Sequence, residues 1–370
     1  MSATRPTRGW WREFRTLDVE VALRAAVAAV VPLSILVATG RTEWAAYAAF
    51  GAMTAIFGRS EPYATRIRTV TTAAVVQITA TGLGILLSVA HAPLGVEAAV
   101  LAVLVTGVIV TFNLLGVTPS GPLFAVFGLL VCAAQPIDDG TGWQRWGIAW
   151  AAAAFAWLLA MSGWVLRRAA PGRTKAVFRD LPRRTPVRVR GWSDPRLWLN
   201  VVQNVAAALL AGAAAMALGI GHPYWAVVSA VAVIPPARAA HTAQRAVHRV
   251  TGTLVGVVAT ALVLWPDPPV WVLILVIAVC QFGAELLVGR HYGAALVFIT
   301  PLALTVVHLA SPVPLFGLLA DRVVETALGA AVGILAVLAA RRFVEVRPMP
   351  PPTSATPTVG PSTSDRPDRP

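Results

Sequence analysis

Glu285 is preceded by an apolar run and followed by Leu286, Leu287 and Val288. A carboxylate this deep in hydrocarbon costs at least ~2.5 kcal/mol unless it is paired or hydrated. Glu285 is therefore a candidate proton carrier, or else a static partner of Arg290 or of an arginine on another helix. Asp321, Arg322 and Glu325 share one helical face at spacings of one, three and four residues. They form either an ion pair, Arg322 with Glu325 or Asp321, or an anion site at an exit gate. Arg66, Arg68, Arg245 and Arg249 stand at the mouths of long apolar runs. Guanidinium groups there concentrate and orient a carboxylate, which each can grip with two parallel hydrogen bonds; ordinary membrane anchoring calls for the same residues. His291 and Tyr292 open another apolar run beside Arg290. They donate hydrogen bonds to a carboxylate or stack on its ring, or are an interfacial tyrosine with a solvated histidine. The substrate-binding candidates are thus Arg68, Arg245, Arg249, His291 and Tyr292. The proton-coupling or ion-pair candidates are Glu285, Asp321, Arg322 and Glu325. Gln281 and His308 read as satisfied polar groups of the core, and Arg24, one turn from Glu20, snorkels or pairs with it.

The motifs that announce enzymes are missing. There is no glycine-rich phosphate loop ending in Lys, no His-Glu-x-x-His pair and no Gly-x-Ser-x-Gly elbow. No catalytic residue, metal or cofactor is expected, and no self-contained ATP motor. Cys132 and Cys280 lie inside separate apolar runs without metal-ligand spacing and read as small core residues.

Composition says what must position these groups. Of 370 residues, 57% are hydrophobic and 13% charged, against about 25% charged in soluble domains. The apolar residues fall in runs near the ~20 helical residues that cross a ~30 Å hydrocarbon layer, and the runs do not alternate as barrel strands do. Twelve helical spans are predicted: Val21–Ala38, Trp44–Phe57, Thr69–Ala90, Leu94–Leu115, Pro122–Ala134, Trp146–Leu166, Trp198–Gly219, Tyr224–Ile234, Val247–Trp265, Val270–Val288, Gly293–Ala310 and Leu318–Ala340. With the N-terminus inside and strict alternation, 26 of the 30 Lys and Arg residues fall in inside loops. Arg41, Arg145 and Arg322 fall outside, and Arg24 lies within the first span. That asymmetry predicts an inner-membrane protein with both termini cytoplasmic. It also accounts for the net charge of +13 without any nucleic-acid partner. The N-terminal run is longer than a signal-peptide core and reads as a retained first helix.

A gap-free shift of 181 residues places Trp44 on Trp225, Arg68 on Arg249 and Thr72 on Thr253. The expected fold is an all-α polytopic membrane protein with two six-helix repeats of parallel orientation, related by an axis along the membrane normal. Its parts are a cytoplasmic segment 1–18, a first repeat 19–166, an Arg- and Pro-rich linker 167–197, a second repeat 198–342 and a disordered tail 343–370. The linker lies along the anionic inner leaflet. Trp44–Phe57 and Tyr224–Ile234 are short spans in matching positions. The fifth and eleventh are irregular, one flanked by Pro119 and Pro122 and the other interrupted by Pro301. Paired short or broken spans point to a midplane site, unless neighbours simply bury them. Gly252-x-x-x-Gly256 and Gly329-x-x-x-Gly333 make small faces for close helix packing or for a contact in a homo-oligomer.

Four words follow in order in the second half: His222-Pro223-Tyr224-Trp225; Arg245 through Thr253 with Gly256; Gly289-Arg290-His291-Tyr292-Gly293 running into Phe298-Ile299-Thr300-Pro301; and Asp321 through Gly329. Together they resemble the fusaric acid resistance protein-like family of integral membrane transporters, which includes aromatic acid exporters. A degenerate version occupies Trp44–Leu87, where Glu61-Pro62-Tyr63 replaces Thr242-Ala243-Gln244. The resemblance implies a secondary transporter that exports small organic, chiefly aromatic, acids. The expected mode is proton-coupled export; the alternative readings are a passive organic-anion channel and a non-transporting membrane scaffold.

Overall fold

The computed structural model describes residues 16–59, 61–137, 140–169, 191–234, 240–311 and 314–344, with backbone alone at 16–17, 164–169, 240–242 and 341–344. The N-terminal arginines up to Arg15, Arg238, most of the linker and the tail from residue 345 lie outside the described residues.

Twelve α-helices follow one another among the described residues: α1 Thr16–Ala38, α2 Ala45–Ala52, α3 Tyr63–Val89, α4 Leu94–Leu115, α5 Leu123–Ala134, α6 Gly142–Ala169, α7 Pro195–Ala217, α8 Tyr224–Val233, α9 Ala240–Leu264, α10 Val270–Leu287, α11 Tyr292–Ala310 and α12 Leu315–Val344. Local chemistry sets their ends. Asp194 caps α7 by accepting the Arg196 N–H at 2.9 Å, with Pro195 in the first helical position. Gly116 closes α4 at φ 66°, and the Val117 N–H returns to the Phe112 carbonyl. Pro235 and Pro236, which lack an N–H, follow α8 in the sequence and cannot continue it.

Nine of these helices are long and apolar enough to cross a membrane. The chain is a multi-pass membrane protein. The other three predicted spans are helices of 8, 12 and 10 residues, α2, α5 and α8. At 1.5 Å per residue, ten residues reach only about half of a ~30 Å hydrocarbon layer. They need not reach further, because neighbours enclose them. Every residue of α8 is buried, as is every residue of α2 except Ala49. Ring contacts join the three short helices: Phe50 on α2 meets Phe127 on α5 at 5.0 Å, and Phe127 meets Trp225 on α8 at 4.8 Å. The predicted interruption at Pro301 does not occur, since α11 runs through it as one helix. Other helices can re-satisfy a carbonyl freed by proline.

In the first half of the chain α2 packs on α6 and α3 on α5 and α6; in the second, α8 packs on α12 and α9 on α11 and α12. Between halves, α1 lies on α10, α4 on α7, α5 on α8 and α2 on α11. Glycine permits the closest of these approaches. A Cβ on Gly51 would stand 2.3 Å from the Ala149 carbonyl oxygen, and one on Gly329 2.1 Å from that of Ala226. Gly252 and Gly256 pack against α11, and Gly329 and Gly333 against α8. Both small faces are therefore used inside the chain.

Candidate functional site

One end of the bundle carries the starts of α3 and α9, the end of α10 and the loop after α2. Arginines crowd there, and we term it the basic end. Arg59, in the loop after α2, donates to the Glu285 carboxylate at 3.2 Å and also to the Glu285 main-chain carbonyl. Glu285 is buried near the end of α10, so this pair ties the two halves together. A second tie lies beside it, Arg290 to Asp18 on α1 at 3.0 Å. Buried Arg24 approaches Glu20 at 3.6 Å and donates to the Ala55 carbonyl at 3.4 Å. Arg66 is 1% exposed; it lies 4.8 Å from the Tyr63 ring and donates to the Ala160 carbonyl at 3.5 Å.

The second half holds another charged group, running inward from the basic end through α8, α9, α11 and α12. Arg249 donates to the Tyr292 hydroxyl at 3.1 Å, while Arg245 lies over the Tyr292 ring at 4.6 Å and donates to the Ala232 carbonyl. Arg322, 1% exposed, is stacked 4.0 Å from Trp225. It is close enough to Arg249, Glu325, Tyr224 and Tyr292 to interact with them electrostatically. Toward the opposite end Asp321 meets His222 Nδ1 at 2.8 Å, and Glu325 accepts the His222 main-chain N–H at 3.0 Å. Several enclosed atoms of this group have no hydrogen-bond partner among the described residues: Arg249 Nε, Arg322 Nε and Nη1, and the hydroxyls of Ser229, Thr253, Thr300 and Thr326. Unpartnered N–H and O–H groups in a dry interior cost about 1–3 kcal/mol each.

The structure brings together Arg245, Arg249 and Tyr292, and separately Asp321, Arg322 and Glu325. His291 is exposed at the start of α11, and Arg68 is exposed on α3. The buried arginine of α3 is Arg66, two residues earlier and on the other face of the helix, so the match of Arg68 with Arg249 in sequence does not carry over to burial. Arg322 stays within electrostatic reach of Glu325, one of the two partners expected for it. Both carboxylates, however, bond His222, and the guanidinium takes the Trp225 face. Glu285 has an arginine partner, supplied by Arg59 rather than Arg290. Sequence reasoning overlooked Arg59, which stands among loop residues that any membrane protein uses as anchors. His222 and Trp225 had a signal, since both belong to the word His222-Pro223-Tyr224-Trp225. Among the described residues no group of three or more His, Cys, Asp or Glu is placed to hold a metal ion.

Residues 209–336 match the family described as fusaric acid resistance protein-like. That stretch includes α8 through α11 and most of α12, hence the whole second charged group. An uncharacterized membrane protein of Bacillus subtilis (strain 168), YvaC, is 32% identical over 133 residues, which is 35% of this chain and 21% of the relative. The match thus spans about a fifth of that relative's length. No solved structure matches the chain. Over this second-half segment, about a third of its length, the chain is similar to the fusaric acid resistance protein-like family.

Proposed function

We propose that the chain exports small organic acids, chiefly aromatic ones, across the inner membrane as a secondary transporter, with its basic end in the cytoplasm. We further propose that it is built as two six-helix repeats of parallel orientation. The recurrence of α2 on α6 as α8 on α12, of α3 on α5 as α9 on α11, and of α1 on α10 as α7 on α4 supports that duplication. The observation that carries the export reading is the pair Arg249 and Arg322. Both are buried, with guanidinium N–H groups that meet no acceptor among the described residues, and a carboxylate is the ligand such groups grip best. Trp225, stacked on Arg322, offers an aromatic cargo a ring surface. The inside-negative potential favours anion exit by ~2.3 kcal/mol per charge per 100 mV, so no ATP motor is required.

The test is benzoate efflux from proteoliposomes loaded with purified protein. Arg249→Ala and Arg322→Ala are each expected to lower the rate about tenfold or more, the effect of losing a charge-assisted bond. Unaltered efflux in both, with protein that remains monodisperse, would sink the reading. Proton coupling through Glu285 is part of the proposal, but its engagement by Arg59 favours a second reading, a passive anion conductor in which Glu285 is a latch. Glu285→Gln separates them: a passive conductor keeps its flux, whereas a coupled exporter loses accumulation against a gradient.

A further inference from the structure

A cavity of about 380 Å³ opens at the end opposite the arginines, between α4 and α5 of the first half and α7 and α8 of the second. Its walls are largely apolar, with Leu101, Leu209, Met216 and Val227 among them. The volume falls in the usual range for small-molecule sites and suits a single ring with a short side chain. Five polar side chains reach it: Glu97, Gln135, His222, Tyr224 and Ser311. No Lys or Arg is among the described residues that line it. Glu97 sits in the first turn of α4, beside the unpaired N–H groups of a helix start. Glu97 is half-buried, and no cation among the described residues lies within ion-pair distance of it. Across the cavity, His222 is backed by the Asp321 carboxylate at 2.8 Å, and a Cβ on Gly221 would stand 2.7 Å from the same group.

We infer that this cavity is a binding site for a small organic cation, an ammonium group carried on one apolar ring or chain. Glu97 receives the ammonium, the Gln135 amide and Tyr224 hydroxyl supply further polar contacts, and the apolar walls take the hydrocarbon. An organic anion of the same size is repelled by Glu97 and finds no guanidinium there. The inference is separate from the anion-export reading, since neither Arg249 nor Arg322 lines the cavity. Two sources carry this chemistry, a free aromatic amine and the ethanolamine head of a membrane lipid.

The test uses the full chain in vesicles of phosphatidylcholine and phosphatidylglycerol, titrated with phenethylamine and followed by calorimetry. Phenylpropionate, with the opposite charge, is the comparison. Saturable phenethylamine binding is expected, about tenfold weaker in Glu97→Gln and lost in Ala98→Trp, which fills the cavity and leaves the carboxylate in place. Phenylpropionate is expected to bind at least about tenfold more weakly than phenethylamine. Mass spectrometry of co-purified lipid forms the second arm. Phosphatidylethanolamine enriched on the wild-type chain and lost from Glu97→Gln assigns the ammonium to a lipid and supports the site. Equal binding of the two probes, phenethylamine binding indifferent to Glu97→Gln, or neither amine binding nor lipid enrichment overturns it.

Discussion

In both halves of the chain an arginine of the sixth helix meets an aromatic ring of the short second helix, but the two meetings end differently. In the first half Arg145 reaches the Tyr47 hydroxyl at 3.5 Å and the Thr141 hydroxyl at 2.9 Å. In the second half Arg322 lies on the Trp225 face, and two of its nitrogens, Nε and Nη1, have no acceptor among the described residues. Under the 181-residue offset Trp225 falls on Trp44 and Arg322 on Thr141. Tyr47 lies three residues beyond Trp44, and Arg145 four beyond Thr141, so ring and cation have moved together by one helical turn. Parallel packing of the two helices tolerates such a shift because each turn presents the same spacing. The lesson concerns satisfaction: a tyrosine supplies an oxygen for a guanidinium, and a tryptophan supplies none. The first-half version has an oxygen for its guanidinium, whereas the second-half version leaves Arg322 Nε and Nη1 without an acceptor among the described residues, which supports the proposed anion role.

The comparison can be broken most severely at the glycines that allow the helix pairs to close. Gly51→Val and Gly329→Val each drive a side chain into a backbone carbonyl that cannot move aside, and each is expected to cost about 3 kcal/mol or more. Size-exclusion profiles of tagged protein should show loss of the monodisperse peak in both, while Gly107→Val, facing open space, retains it. Tolerance of one and not the other would mean that the two helix pairs are not alike.

A smaller effect is expected where the halves are tied together. Arg59→Glu or Glu285→Arg places like charges side by side at a site whose side chains are 18% and 5% exposed. Each single change should cost about 2–3 kcal/mol, read as a lower melting temperature in detergent. The double exchange should recover part of the loss but not all, because the bond from Arg59 to the Glu285 carbonyl is not restored. No recovery at all would mean that the contact is incidental.

The smallest effect sharpens the question of which α3 arginine corresponds to Arg249. Arg66→Ala removes a buried guanidinium from the Tyr63 ring and the Ala160 carbonyl, a loss of about 1 kcal/mol. Arg68→Ala, at an exposed position, should stay within about 0.5 kcal/mol of wild type. Thermal denaturation of the two variants decides it, and a larger shift for Arg68→Ala would restore the sequence pairing.

Much of this was legible in the chain itself. Apolar runs set the helices and Pro, Gly and Asp their ends, because hydrocarbon requires each backbone to satisfy itself locally. The order of four short words pointed to the family that residues 209–336 bear out. Membership of Arg245, Arg249, Tyr292 and Arg322 in the candidate site was readable as well, since ionisable residues within apolar segments are costly enough to need a reason.

Partnership was not readable. Whether Arg66 or Arg68 turns inward, that Glu285 answers to Arg59 across 226 residues of sequence, and that Asp321 and Glu325 bond His222 all depend on how helices rotate and cross. A helix places its side chains by turn, but only its neighbours decide which turn faces protein and which faces lipid. Residue types and the membrane therefore dictated the elements, and tertiary packing alone assigned each charge its partner or left it without one.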